Sequence, residues 1–141
     1  MIKIIAGGKK NVGWVAEACA EYEKRLRKPF DVLWQFVDED KLEAAILKCD
    51  ARDLVILLDE RGEIWDSPNL SKRLSAGLTS GAKVVLVIGG AYGVSEAARE
   101  RANSIWSLSR LVFPHQICRL LVTEQIYRAQ EIYVGRPYHH A

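Results

Sequence analysis

Two almost uninterrupted apolar runs, Leu54–Leu58 and Lys83–Ile88, constrain the fold of this chain more than any other feature. A strand that is apolar on both faces must be covered on both faces, as the central strands of a parallel sheet are. The sequence therefore predicts a sheet with helices packed against each side.

Strand and helix patterns alternate along the chain. The strands are predicted at Ile2–Ala6, Asp31–Val37, Leu54–Leu58, Lys83–Ile88 and Ile105–Leu108. The helices are predicted at Asn11–Lys28, from a capping Asp40, from Ser67, from Ser95 to about Ala102, and from Pro114 onward. No linker or repeat interrupts the alternation. Residues 1–141 are therefore predicted to form a single three-layer α/β domain with a mainly parallel sheet.

Ligands of such sheets bind beyond the carboxyl ends of the strands, here the loops after Leu58, Ile88 and Leu108. The first is predicted to be a polar loop over Asp59–Glu63. The second, Gly-Gly-Ala-Tyr-Gly at 89–93, lacks both the P-loop ending and the dinucleotide-binding glycine spacing. The third loop, which follows Leu108, is unusually apolar for a surface loop. A bare-backbone turn beside an apolar loop predicts a slot for a flat, uncharged group such as adenine, and a purely structural turn is the alternative.

Composition limits the partners. The charge is nearly balanced, with 20 basic and 18 acidic residues, so a nucleic acid would be held by a local patch. The stretch from Arg99 to the end, with six arginines and three acidic residues, could supply one. The three cysteines lack metal-site spacing, so reduced thiols and no metal are expected. No signal peptide or membrane-spanning run is evident, so we expect a cytoplasmic protein without membrane association.

Four stretches carry a family resemblance. They are LLDERG at 57–62, VIGGAYGVSE at 87–96, SLSRLVFPHQICRLLVTEQIYRA at 107–129 and GRPYHH at 135–140. In this order and spacing the chain resembles the ribosomal large-subunit methyltransferase H family of the SPOUT superfamily.

The resemblance implies methyl transfer from S-adenosylmethionine to N3 of a pseudouridine in 23S rRNA, at the ribosomal subunit interface. It also implies a C-terminal trefoil knot, and a homodimer with the cofactor pocket beside the dimer interface. The cofactor-binding residues that it implies are Leu58, Gly89, Gly90, Leu108, Ser109, Arg110, Leu111, Val112 and Phe113.

Four residues near the C-terminus are candidate catalytic groups. His139 is a candidate proton acceptor or base-orienting group, and Tyr138 a candidate contact to the base, with a frayed tail as the alternative. Glu124 and Arg128 have i, i+4 spacing, which predicts either a partly buried pair at the site or dimer seam or an ordinary surface pair.

Several other side chains are left with open roles. Trp106 ends close to the predicted pocket. Arg110, Arg119 and Arg136 are candidate phosphate contacts, with an ordinary surface position as the alternative.

The chain departs from the family in two places. Family members usually carry a longer segment rich in Lys and Arg where this chain has the short, acidic Phe36–Lys41, and their tails commonly end in a cation where this chain has His140. Two other functions therefore stay open: a dimeric nucleotide- or S-adenosylmethionine-binding module without catalysis, and a methyltransferase that acts on tRNA.

Overall fold

The computed structural model describes residues 1–89 and 93–140. Within them, the strands are β1 (Ile2–Gly7), β2 (Val32–Val37), β3 (Leu54–Ile64), β4 (Val84–Ile88) and β5 (Ser104–Ser107). The α-helices are α1 (Gly13–Glu23), α2 (Leu42–Leu47), α3 (Ser67–Thr79), α4 (Glu96–Arg101) and α5 (His115–Val134), and a 3-10 turn, Glu39–Lys41, precedes α2.

The strands form one sheet in the order β2-β1-β4-β3-β5, and every neighbouring pair is parallel. The predicted fold class is confirmed. Because β4, β3 and β5 are neighbours, the loops that follow them meet at one edge of the sheet. This edge is where the sequence places the ligand site.

Alternate residues of the central strands build two cores. Ile4, Ile56 and Leu86 belong to a cluster that includes residues of α3 and α5. Ile5, Val55 and Val85 pack instead with residues of α2 and α4. The sheet is thus covered on both faces, which explains why β3 and β4 tolerate almost no polar residue in their buried parts.

Two predicted helix boundaries are wrong. The first helix ends at Glu23 rather than Lys28, and the side chain of Gln130 satisfies the turn that follows: it accepts from Arg27 N at 2.7 Å and donates to Arg25 O at 3.1 Å. Asp40 is not a cap but lies inside the 3-10 turn, and α2 begins without a side-chain cap.

The predicted polar loop over Asp59–Glu63 is also wrong, because β3 continues to Ile64. Its pairing with β5 is irregular between Leu58 and Glu63. Gly62 makes this possible: a Cβ there would lie 2.5 Å from the carbonyl oxygen of Ile105. The polar residues of this stretch therefore belong to a strand whose backbone runs against β5.

Candidate active site

The three predicted loops surround a cavity of about 540 Å³. Its wall includes Leu58 to Arg61 within β3, Ile88 and Gly89 at the end of β4, and the segment after β5. The predicted cofactor residues in this wall are Leu58, Gly89, Leu108, Ser109, Leu111, Val112 and Phe113. Arg110 is exposed and is not part of the wall, and Gly90 lies outside the described residues.

Val94 packs closely against Gly89. A Cβ on Gly89 would lie 3.1 Å from Cγ2 of Val94. Gly93 has a φ of 78°, a conformation that favours glycine. Gly89 therefore presents bare main chain beside the cavity, and a side chain there would crowd Val94, which lines the same cavity.

The segment after β5 is shaped by its own serines. Ser107 Oγ donates to Ser109 O at 2.8 Å, and Leu111 N donates to Ser109 Oγ at 3.0 Å. These bonds hold Leu111 and Val112 on the cavity wall although 70% and 75% of their surfaces remain exposed. An apolar rim of this kind is left for a ligand or a second protein surface to cover.

The wall also carries a carboxylate, Asp59, which the sequence predicts only as part of a polar loop. Burial alone would raise its pKa, but hydrogen bonds from the Arg61 N–H and from the guanidinium groups of Arg99 and Arg61 outweigh that effect and lower the pKa. Asp59 therefore stays ionised beside the cavity. Its signal in the sequence is its position immediately after the apolar run Leu54–Leu58.

A second cavity of about 600 Å³ adjoins the first. It lies between the start of α3, the middle of α5 and the C-terminal tail. The two cavities share Trp106, Leu108, Ser109 and Phe113. The further residues of the second cavity are Trp65, Asp66, Ser67, Pro68, Leu121, Gln125, His139 and His140.

The four candidate catalytic residues form one hydrogen-bonded cluster beside the second cavity. Oε2 of Glu124 accepts from Arg128 Nη2 and from the Tyr138 hydroxyl, each at 2.9 Å. Nη1 of Arg128 lies 3.1 Å from Nδ1 of His139. Arg128 also lies over the Tyr138 ring, with its Cζ 4.8 Å from the centroid, and the ring of Tyr127 packs edge-on against Tyr138. The tail is therefore docked on α5.

The protonation states in the cluster follow from these contacts. Burial, and then the hydrogen bond to Glu124, raise the pKa of Tyr138 to about 12. The hydrogen bond to Glu124 raises the pKa of Arg128 as well. An arginine can only donate, so Nδ1 of His139 must be the acceptor. A hydrogen bond of this kind leaves the N–H of the imidazole on Nε2.

Comparison with known proteins decides the family. The family model described as "Predicted SPOUT methyltransferase" matches residues 1–139. This chain belongs to the SPOUT methyltransferase family.

Curated relatives of this SPOUT chain agree. The ribosomal RNA large subunit methyltransferase H of Hahella chejuensis is 39% identical over 154 aligned positions, covering 98% of this chain and 97% of the relative. The enzyme of the same name from Methylobacillus flagellatus is 33% identical over 151 positions, with the same coverage. Both alignments are longer than the 141 residues of this chain, so the relatives carry residues with no counterpart here. The predicted family resemblance is confirmed.

Solved structures share the fold. A methylase family protein from Haemophilus influenzae superposes with a TM-score of 0.62 at 13% identity, over 99% of this chain and 70% of that one. A methyltransferase from Legionella pneumophila, solved with bound S-adenosylmethionine, has a TM-score of 0.51 at 11% identity, over 91% and 66% of the two chains. At these identities the likeness shows the fold alone.

Arg119 is neither a phosphate contact nor a surface residue, so both interpretations of it are wrong. Its side chain is fully buried and donates to the carbonyl oxygens of Lys9 and Gly7 at 2.6 and 3.0 Å. It ties the loop after β1 to α5. Arg136 forms an ion pair with Glu131, with Nη2 and Oε2 2.8 Å apart.

The described residues include no group of three or more His, Cys, Asp or Glu side chains that could hold a metal ion. Within the same residues, no helix is long and apolar enough to cross a membrane.

Proposed function

We propose that this SPOUT chain is an S-adenosylmethionine-dependent methyltransferase that acts on N3 of a pseudouridine in 23S rRNA, where the ribosomal subunits meet. One observation carries the proposal: the first cavity adjoins a second cavity that contains His139 of the Glu124, Arg128, Tyr138 and His139 cluster. The curated relatives, named as large-subunit rRNA methyltransferases, support this substrate class.

The first cavity fits S-adenosylmethionine by its chemistry. Bare backbone at Gly89 and apolar side chains at Leu58 and Leu108 suit a flat nucleobase, and the Asp59 carboxylate suits hydroxyl or ammonium groups. When bound there, S-adenosylmethionine supplies an activated methyl group on a sulfonium. Arg110, which is exposed, is not needed for this cradle.

The protein then has to position the base and manage one proton. N3 of pseudouridine is an imide nitrogen and attacks only as its proton leaves. Tyr138 cannot take the proton, because its own pKa of about 12 keeps it neutral. Nδ1 of His139 is occupied by Arg128, which leaves an Nε2–H that can only donate.

His139 has two candidate roles, proton acceptor and base-orienting group. With only a donor left, it orients the base. Its Nε2–H donates to a carbonyl oxygen beside N3, where the negative charge of the deprotonated imide accumulates. Arg128 fixes the tautomer and adds positive charge, and the N3 proton passes to water. The cluster thus stabilises the anion without itself acting as the base.

The proposal includes a homodimer and the trefoil knot of the family, in a cytoplasmic protein. The exposed apolar rim at Leu111 and Val112 supports a partner surface beside the cofactor cavity. Sedimentation should then give about twice the chain mass of 15.9 kDa. A monomer at all concentrations would rule out the homodimer.

A panel of RNAs tests the substrate class. The protein, with S-adenosylmethionine labelled in its methyl group, is offered 70S ribosomes, 50S subunits, naked 23S rRNA and tRNA. Label in ribosomal RNA supports the proposal. Label in tRNA alone would indicate a tRNA methyltransferase. Cofactor binding without label in any RNA would indicate a binding module without catalysis.

A further inference from the structure

The wall between the two cavities contains a buried hydrogen-bond donor without a partner among the described residues. Trp106 is only 3% exposed, and its Nε1–H makes no hydrogen bond. A buried polar group left unpaired is destabilising, because it has lost its hydrogen bonds to water without replacing them. Such a group calls for a partner that the chain itself does not supply.

The neighbouring indole provides a contrast. Trp65 stacks on Trp106 with ring centroids 5.6 Å apart and an angle of 7° between the planes. Its own N–H donates to Glu63 at 3.1 Å, and Arg73 lies 4.2 Å from its ring. The stack fixes the orientation of Trp106. Of the two indole N–H groups in it, only that of Trp106 has no hydrogen-bond partner among the described residues.

The second cavity lies where a methyl acceptor has to be. In a reactive complex the donor and acceptor atoms lie roughly 3–3.5 Å apart, so their two sites must be contiguous. Trp106, Leu108, Ser109 and Phe113 belong to both cavities. The second cavity also receives His139.

We infer that the second cavity holds the target base, and that the Trp106 Nε1–H donates to one of the two carbonyl oxygens that flank N3. This inference rests on the proposed function. A uracil-type base has a carbonyl on each side of N3, whereas cytosine has one carbonyl and an amino group. An indole N–H can only donate, so it accepts a carbonyl and rejects an amino group.

Trp106 is in this account a residue of both specificity and catalysis. The negative charge of the N3 anion is shared by the flanking oxygens. A fixed donor to one of them strengthens as that charge develops. The aromatic and apolar wall formed by Trp65, Phe113 and Leu121 excludes water from the rest of the base.

Nuclear magnetic resonance of the indole N–H groups tests the site without turnover. The chain has four tryptophans, and the signals of Trp106 and Trp65 are assigned with Trp106→Phe and Trp65→Phe. Pseudouridine, uridine and cytidine are titrated into the ¹⁵N-labelled protein saturated with S-adenosylhomocysteine. We expect the Trp106 signal to move with pseudouridine and uridine more than with cytidine, and more than the Trp65 signal moves.

Three results would overturn the inference. One is a Trp106 signal that ignores every nucleoside. Another is a signal that moves only when S-adenosylhomocysteine is added, which would assign the donor to the first cavity. The third is a signal that moves only with protein concentration, which would mean that a second copy fills the cavity.

Kinetics supply the matched comparison. Trp106→Phe should lower kcat/KM for RNA by about tenfold or more while S-adenosylmethionine affinity stays within about twofold, as expected for loss of one hydrogen bond made to the base. Trp65→Phe removes an N–H that is already paired within the protein and should cost clearly less. Equal losses in the two variants would contradict a special role for the Trp106 donor. If the protein methylates no RNA but its Trp106 signal still moves selectively with uracil-type nucleosides, the base site stands and the proposed function is wrong.

Discussion

The guanidinium of Arg128 lies 3.1 Å from Nδ1 of His139, and this contact sets the tautomer of the imidazole. The same guanidinium contacts Glu124 at 2.9 Å, so it links the tail to α5. A histidine held in this way offers an Nε2–H to its surroundings. The role of His139 can therefore be tested with a replacement that keeps a hydrogen-bond donor, as well as with one that removes the side chain.

Replacements of His139 should separate hydrogen-bond donation from proton abstraction. His139→Ala should lower kcat by about 100-fold, the typical cost of losing one catalytic donor. His139→Gln keeps an amide N–H near the Nε2 position and should recover at least about a tenth of the wild-type rate, because an amide donates but cannot act as a base. Single-turnover methylation at saturating S-adenosylmethionine measures both. A glutamine variant as inactive as the alanine variant would support proton abstraction instead.

Tyr138→Phe should change the stability of the protein at high pH. The pKa of Tyr138 rises from 10.0 to about 12 through burial and the bond to Glu124, so the unfolded chain loses this proton before the folded one does. The associated stability is complete below pH 10 and is lost as the pH rises through 12. Urea unfolding between pH 9 and pH 12 should show a smaller decline in Tyr138→Phe than in wild type. Tyr133→Phe, which removes the hydroxyl of a half-exposed tyrosine, is the control and should keep the wild-type decline.

Gly89→Val should weaken cofactor binding severely while the chain remains folded. The new side chain would meet Val94, which also lines the cavity, and must displace either that residue or the backbone of Gly89. We expect S-adenosylmethionine affinity by calorimetry to fall by at least about tenfold, the equivalent of 1.4 kcal/mol. Gly13→Val is the control, because a Cβ at Gly13 has no neighbour within 4 Å. Unchanged affinity in Gly89→Val would show that Gly89 is not part of the cofactor site.

Gly62→Ala should destabilise the protein. A Cβ there would lie 2.5 Å from Ile105 O and 2.8 Å from Trp106 N, so β3 and β5 would have to separate. Overpacking of this kind costs about 1–3 kcal/mol in the free energy of unfolding. Chemical denaturation measures it, with Gly13→Ala as the control. Because Trp106 lies in both cavities, the variant should also bind S-adenosylmethionine more weakly; wild-type stability would show that the β3–β5 contact is unimportant.

The sheet was predictable because its signal is local. Leu54–Leu58 and Lys83–Ile88 are apolar on both faces, which only a covered strand requires, and the loops after them had to share an edge. The extension of β3 through Glu63 was not predictable, because its polar residues look like a loop until Gly62 meets Ile105. That contact joins residues far apart in the sequence.

The site was predictable to a similar extent. The family motifs indicate Glu124, Arg128, Tyr138 and His139, but spacing alone could not show that one guanidinium joins them. Arg119 was misjudged for the opposite reason. Its two shortest hydrogen bonds go to the carbonyl oxygens of Lys9 and Gly7, which any residue type carries and no sequence pattern reveals.

The most direct test of the central claim is nucleoside mass spectrometry of 23S rRNA after reaction with this protein and S-adenosylmethionine. Ribosomes are prepared from cells with and without the pseudouridine synthase that supplies the target. We predict one new methyl group, located on N3 of a pseudouridine, in the first sample and none in the second. A methyl group that forms equally in the pseudouridine-free ribosomes, or that lies on another atom, would contradict the account.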